Sequence, residues 1–172
     1  EPGTFGIVYE DPWLMVIDKP AGLVAHAVGP IQNGTLTHVI QYHLDQQTIA
    51  KGMLQAGIVH RLDRMTSGLM VVAKEHQTHR VISLDFQAGR MKKSYLALVE
   101  GYLPFDDRVV TLPIGRRSGG RSVLMSAGPN ALYPRNAKTK VIVLERRRGV
   151  TLVECRLYTG RNHQIRVHMA EI

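Results

Sequence analysis

Cysteine is nearly missing: Cys155 is the only one in 172 residues, which rules out an intramolecular disulfide and suits a reducing compartment. No apolar run reaches the roughly 18 residues that would span a bilayer, and no basic, apolar leader precedes Glu1-Pro2-Gly3, so a soluble, cytoplasmic chain is expected. Neither G-x-G-x-x-G nor G-x-x-x-x-G-K-[ST] occurs, which removes the usual backbone cradle of a nucleotide cofactor. Eight histidines are present, but without a Cys pair or H-E-x-x-H to organise them no metal is expected. Internal repeats and low-complexity linkers are also absent.

What remains is a composition of 44% hydrophobic and 21% charged residues, ordinary for one compact domain over residues 1–172. The net charge of +8 is unevenly spread. Residues 1–86 carry −2 and residues 87–172 carry +10. A one-sided basic half suits a polyanion, because Lys and Arg that neutralise phosphates release condensed counterions.

Short β-type runs at Ile7–Tyr9 and Trp13–Ile17 predict a hairpin leading into the turn Asp18–Gly22. Thr35 is a candidate N-cap for a helix with Leu36, Val39, Ile40, His43 and Leu44 on one stripe, ending before Asp45-Gln46. Gly57–Val59 and Gly68–Ala73 are read as strands. His76–Ala88 is read as a helix stopped by Gly89, with Val81, Ile82, Leu84 and Phe86 on one broad face. Lys93–Glu100 alternates and places Tyr95, Ala97 and Val99 on one face. Residues 113–136 show no steady period and read as a long basic loop with one short strand at Ser122–Met125. Lys138–Leu144 and Val150–Tyr158 predict a hairpin with a charged tip, Glu145–Gly149. Asn162 is expected to cap a final helix carrying Ile165, His168 and Met169 inward. The pattern predicts an α+β fold built on a mostly antiparallel mixed sheet with a few flanking helices.

Three places carry candidate chemistry. Asp63 lies between Arg61 and Arg64 in the turn of HRLDRMTSG, where guanidinium groups favour an ionised carboxylate, fit for a nucleophile or base. Arg64 itself reads as solvated or phosphate-contacting. Tyr95 offers a flat apolar face that could stack on a base, or simply a half-buried strand tyrosine. Arg161, His163, Gln164, Arg166 and His168 crowd a predicted helix N-terminus, where cations oppose the dipole unless an anionic partner is near.

Taken in order, VYEDPWLMVIDKPAGLVAH, GTLTHVIQYHL, HRLDRMTSGLMVVAK, KKSYLALVEG, AKTK and TGRNHQIRVHM resemble the RluA-type pseudouridine synthases, which isomerise uridine to pseudouridine in ribosomal or transfer RNA. The resemblance covers nearly the whole chain. It implies Asp63 as the essential aspartate, Arg61 as the residue entering the RNA stack when the uridine is flipped, and Tyr95 as the ring against the flipped base. It also implies Ile165 as an apolar wall below that base and Arg166 as the partner of the aspartate, with Arg161, His163 and Gln164 near the substrate. A stacked uridine hides its reacting carbons, so extrusion is required, and an inserted Arg can fill the gap. Asp63 could then attack carbon 1′ or deprotonate carbon 2′. The carbon 5 proton could leave to Tyr95, although an ordinary phenol titrates near 10.

Met65 stands where the family commonly has Asp, and Asn162 where Thr is common. The resemblance further implies a catalytic domain that continues beyond Ile172, no S4-type RNA-binding module within these residues, no cofactor, and a monomer. The readings weighed against it are a noncatalytic RNA-binding protein using the basic half, and a glycosidase, which would need a second carboxylate beside Asp63.

Overall fold

The computed structural model describes residues 5–27, 33–46, 57–118, 124–128 and 131–172. They form two compact units, Glu1–Arg90 and Met91–Ile172. Among the described residues there are ten strands and three helices, and every strand pairing is antiparallel, the α+β class expected.

In the first unit β1 (Gly6–Glu10), β2 (Leu14–Lys19) and β3 (Gly68–Ala73) form a sheet in that order. The β1–β2 turn closes on Asp11, whose carboxylate accepts the N–H groups of Trp13 and Leu14, each at 2.8 Å. Those bonds hold it below the usual carboxylate range, the Leu14 amide contributing most. Period-2 alternation sends Met15, Ile17 and Lys19 of β2 inward, with Met70 and Val72 of β3.

Helix α1 (Leu36–Gln46) buries Leu36, Ile40 and Leu44 completely, each worth about 1.5–3 kcal/mol of burial. It runs through Asp45 and Gln46, two residues further than expected, and Gln41 reaches Asp45 four residues on at 2.8 Å. Thr35 precedes the helix, and its hydroxyl meets His38 Nδ1 at 2.8 Å. The expected strand at Gly57–Val59 shrinks to a single bridge between Ile58 and Val72, since the neighbouring Val71 amide is taken by the His60 ring.

Helix α2 (His76–Gln87) is capped by Glu75, whose carboxylate accepts the amides of Thr78 (2.6 Å) and Gln77 (3.1 Å) and the Thr78 hydroxyl. The expected helix is present, though no residue of it is buried, and Val81 and Leu84 on its apolar face are about half exposed. Gly89 beyond it adopts φ +71, the left-handed stop expected.

The second unit holds β4 (Lys93–Glu100), β10 (Val150–Leu157), β9 (Thr139–Arg147) and β5 (Asp107–Val110) in that spatial order. Its inner face carries Leu103, Val110, Val141, Val153 and Cys155, with Tyr95, Ala97, Val99, Ile165 and Met169 packed against them. Burial raises the Cys155 thiol to about 11. The β9–β10 turn is only Arg148-Gly149, shorter than the expected tip. Arg146 is held within β9 by bonds to Leu103 O, Phe105 O and the Asp106 carboxylate.

The expected loop at 113–136 is a third sheet, β7 (Met125–Ala127), β6 (Ile114–Arg117) and β8 (Ala131–Arg135) in spatial order. The strands are three to five residues long and β6–β8 is bulged, which erases a readable period. The expected start of a strand at Ser122 lies outside the described residues, whereas Met125 opens β7.

Helix α3 (Gln164–Glu171) closes the unit, and it is not capped by Asn162. The cap position is His163, in the left-handed region at φ 56, with no side-chain cap bond. The Gln164 side chain turns back to accept the Arg161 amide at 2.9 Å, doing a capping residue's work from inside the helix.

Candidate active site

In the first unit the turn after His60 is pinned from several sides. Leu62 is buried, anchoring the segment, while Arg61 and Arg64 are exposed and Asp63 is half-buried. The Asp63 carbonyl accepts the Thr66 amide at 3.0 Å, closing a tight turn. The Arg64 carbonyl accepts the Gly22 amide (2.8 Å) and the Lys19 ammonium (3.2 Å), and Arg64 Nε returns a bond to Gly22 O at 3.1 Å. Arg64, expected to be solvated or on a phosphate, is exposed and also straps this segment onto the Asp18–Gly22 turn.

Lys19 is fully buried and also donates to Pro20 O (2.8 Å) and Leu23 O (3.0 Å). Burial pulls its pKa down, and the charge of Asp63 pulls it partly back up. The charge of Asp63 thus acts on Lys19, forty-four positions earlier in the chain and within the same unit. His60 accepts the Val71 amide through Nε2 at 2.9 Å and stacks on Phe86 with centroids 4.5 Å apart, which fixes where the turn leaves β3. Gly57 permits the close pass: at φ +61, an added Cβ would lie 1.8 Å from Ala73 O. Arg61 acts on His26, lowering its pKa after burial, the larger cause.

The second unit carries the other candidates. Tyr95 sits on the inner face of β4, opposite Cys155 in register, and Ile165 of α3 packs on the same cluster. Arg166 is exposed and its guanidinium touches His163 Nδ1, three residues earlier on the helix. Arg161 donates to Asn136 O at 2.9 Å and, after burial, helps lower the pKa of Lys93.

Gln164 is buried with both ends of its amide occupied. Nε2 donates to Lys138 O (3.1 Å) and Thr139 Oγ1 (2.9 Å), and Oε1 accepts Thr159 Oγ1 (2.8 Å) and the Arg161 amide. His168 is fully buried between Thr139 Oγ1 and Leu112 O, both at 2.9 Å. One face of α3 is thereby clamped to β9, leaving Ile165 and Arg166 on its other sides.

Asp63 and Arg61 belong to the first unit; Tyr95, Arg161, His163, Gln164, Ile165 and Arg166 belong to the second. Sequence reading passed over Lys19, Gly57, His60 and Thr139. The signal for Lys19 was available: Met15, Ile17 and Lys19 occupy alternate positions of one strand, which puts the lysine on the buried face.

The family model described as RNA pseudouridylate synthase matches residues 13–171. An uncharacterized RNA pseudouridine synthase of Bacillus subtilis is 38% identical over 172 residues, covering 100% of this chain and 55% of that protein. The ribosomal large subunit pseudouridine synthase D of Neisseria meningitidis serogroup A is 41% identical, covering 99% of this chain and 44% of the relative. That of Nitrosomonas europaea is 43% identical, covering 96% and 46%. Among solved structures, human RNA pseudouridylate synthase domain containing 1 superposes with a TM-score of 0.80 at 28% identity, covering 99% of this chain and 67% of that one. The chain spans about half the length of these curated relatives.

Proposed function

Because the chain belongs to the RNA pseudouridylate synthase family, we propose that the protein isomerises specific uridines of RNA to pseudouridine, acting on large-subunit ribosomal RNA. The family match over residues 13–171, with Asp63 in a turn strapped by Lys19, Arg64 and His60, is the observation that carries this reading. Relatives named for the ribosomal large subunit favour ribosomal over transfer RNA as substrate.

The chemistry asks little beyond a charged, positioned carboxylate. Asp63 either attacks carbon 1′ of the ribose or takes the carbon 2′ proton, and the bond from carbon 1′ to N1 breaks. The freed uracil turns and carbon 5 bonds to carbon 1′, displacing the Asp63 carboxylate on the first route, or with Asp63 returning the proton to carbon 2′ on the second. Carbon 5 then loses its proton and N1 gains one, so the product is an isomer and no co-reactant is consumed. Arg61 enters the stack as the nucleotide leaves it. Tyr95 and Ile165, which share one cluster in the second unit, face the flipped ring as stacking surface and apolar wall. The family resemblance assigns Arg166 to the carboxylate as its partner in the reaction. Arg161 and His163 serve the RNA backbone.

The test uses a host deleted for the whole gene and complemented with the intact gene or with Asp63→Asn. Ribosomal RNA is treated with carbodiimide and read by reverse-transcription stops. We expect at least one stop lost on deletion, restored by the intact gene and not by Asp63→Asn. Restoration by Asp63→Asn would replace the enzyme by a noncatalytic RNA binder, and an unchanged stop pattern on deletion would refute the activity.

A further inference from the structure

The β6–β8 pair carries a feature that the fold of the second unit does not use. Tyr133, in β8, is 89% exposed and holds φ 50, the left-handed region that L side chains other than Asn and Asp rarely occupy. His163, the other described non-glycine residue with positive φ, is half-buried and touches Arg166. Tyr133 gains no comparable burial for its strain. Such backbone outliers persist where the surroundings over-determine them, and they concentrate at functional sites.

The surroundings here are a bulge. The register slips between Ile114 and Arg116, and Gly115 lies so close that an added Cβ would be 2.4 Å from Leu132 O and 3.1 Å from Pro134 Cα. With β6 pressed against the backbone on both sides of Tyr133, the bulge forces the ring outward. Leu132 beside it is 47% exposed.

Cations flank this projection. Arg116 stands opposite Leu132, Arg117 opposite Ala131, and Arg135 follows two residues along β8; all three are exposed. Elsewhere in the unit cations already lie over aromatic rings: Arg108 over Phe105, Lys138 over Tyr158 and Arg146 over Tyr102. Among the described residues no such cation covers Tyr133, so its faces are open. An open, outward ring with exposed arginines on the paired strand and two residues along its own is the makeup of a site for single-stranded nucleic acid, where bases stack on aromatics and phosphates meet cations.

We propose that Tyr133, with Arg116, Arg117 and Arg135, forms a second RNA contact in which Tyr133 stacks on an unpaired base of the substrate other than the uridine being isomerised. This rests on the RNA reading above and adds to it a requirement for unpaired nucleotides beyond the target.

The experiment measures RNA affinity in the full-length protein carrying Asp63→Asn, so that binding is read without turnover. One probe is an RNA hairpin with a single-stranded loop, the other a fully paired duplex of equal length. Tyr133→Ala is expected to weaken loop binding about 5- to 150-fold, the range for losing one base–aromatic stack. It should leave duplex binding and the salt slope unchanged, and Tyr133→Trp should keep the affinity. Arg116→Ala should instead lower the salt slope by a little under one.

Tyr133→Gly separates function from folding. Relief of the left-handed strain should raise its unfolding midpoint while loop affinity falls, whereas a purely structural tyrosine would lose stability. The inference is overturned if Tyr133→Ala binds the loop within twofold of the parent, if loop and duplex weaken equally, or if the parent binds no RNA. A protein that binds RNA with this pattern yet leaves every uridine unchanged would refute the isomerase and leave the stacking contact standing.

Discussion

Replacing Lys19 by Met should loosen the turn that carries Asp63. The ammonium is fully buried and donates to Pro20 O, Leu23 O and Arg64 O at 2.8, 3.0 and 3.2 Å. Hydrogen bonds from a charged donor are each worth about 1.5–3 kcal/mol, so three of them represent roughly 5–9 kcal/mol of gross stabilisation. Burying the ammonium offsets part of that, as the lowered Lys19 pKa attests, and Met restores apolar contact in the same volume. The net expected loss is about 2–4 kcal/mol in urea unfolding, with uridine conversion falling more steeply because the Arg64 carbonyl loses its grip next to Asp63.

A pH signature accompanies it. The folded pKa of Lys19 lies below that of the unfolded chain, near 10.4, so between the two the unfolded state holds the extra proton and stability rises with pH. Lys19→Met should lack this alkaline rise. A variant that unfolds within 0.5 kcal/mol of the parent and converts uridine at the parental rate would refute the role assigned to the buried ammonium.

Gly57→Ala places a Cβ 1.8 Å from Ala73 O at φ +61, and a loss of about 3–5 kcal/mol is expected in denaturant unfolding; a loss under 1 kcal/mol would contradict the close pass. His168 has its pKa lowered mainly by burial, so its contribution is complete above the ordinary value near 6.5 and is lost as pH falls below it, where the unfolded state protonates first. His26 adds a slope of the same sign. His168→Phe should make the stability curve between pH 6.5 and 5 shallower by up to about 1.4 kcal/mol per pH unit, and an unchanged slope would rule out the buried neutral imidazole.

The strands of the fold that alternate cleanly were legible in the sequence. β2 and β4 send every second side chain inward, and their pattern survives intact in the structure. The three-stranded sheet at 114–135 was not legible because its strands are short, exposed at half of their positions and interrupted by the bulge at Tyr133, which breaks the period on which such a reading depends. Helix α2 shows another limit: the helical spacing of its apolar residues marks the helix, but not that none of them is buried.

At the candidate site, Asp63 and Tyr95 stood out by motif. Their supports did not, because these are contacts between distant positions: Lys19 to Arg64, His60 to Val71, and Gln164 to Thr139. Gln164 illustrates the limit best. Its place in HQIR marks it as polar and near the helix start, yet only the folded chain reveals that its amide is consumed by Lys138, Thr139, Thr159 and Arg161.

Cys155 gives the second unit a built-in stopwatch. Its sulfur lies on the inner face of β10 between β4 and β9, and burial keeps it a thiol up to about pH 11. An alkylating reagent such as iodoacetamide needs the thiolate and a clear approach, and the closed sheet denies both. Each molecule that takes up one adduct is therefore one in which the cluster packed over this face of the sheet has opened. The rate of mass gain, followed with and without RNA, times the breathing of this sheet at its middle, with no engineered label.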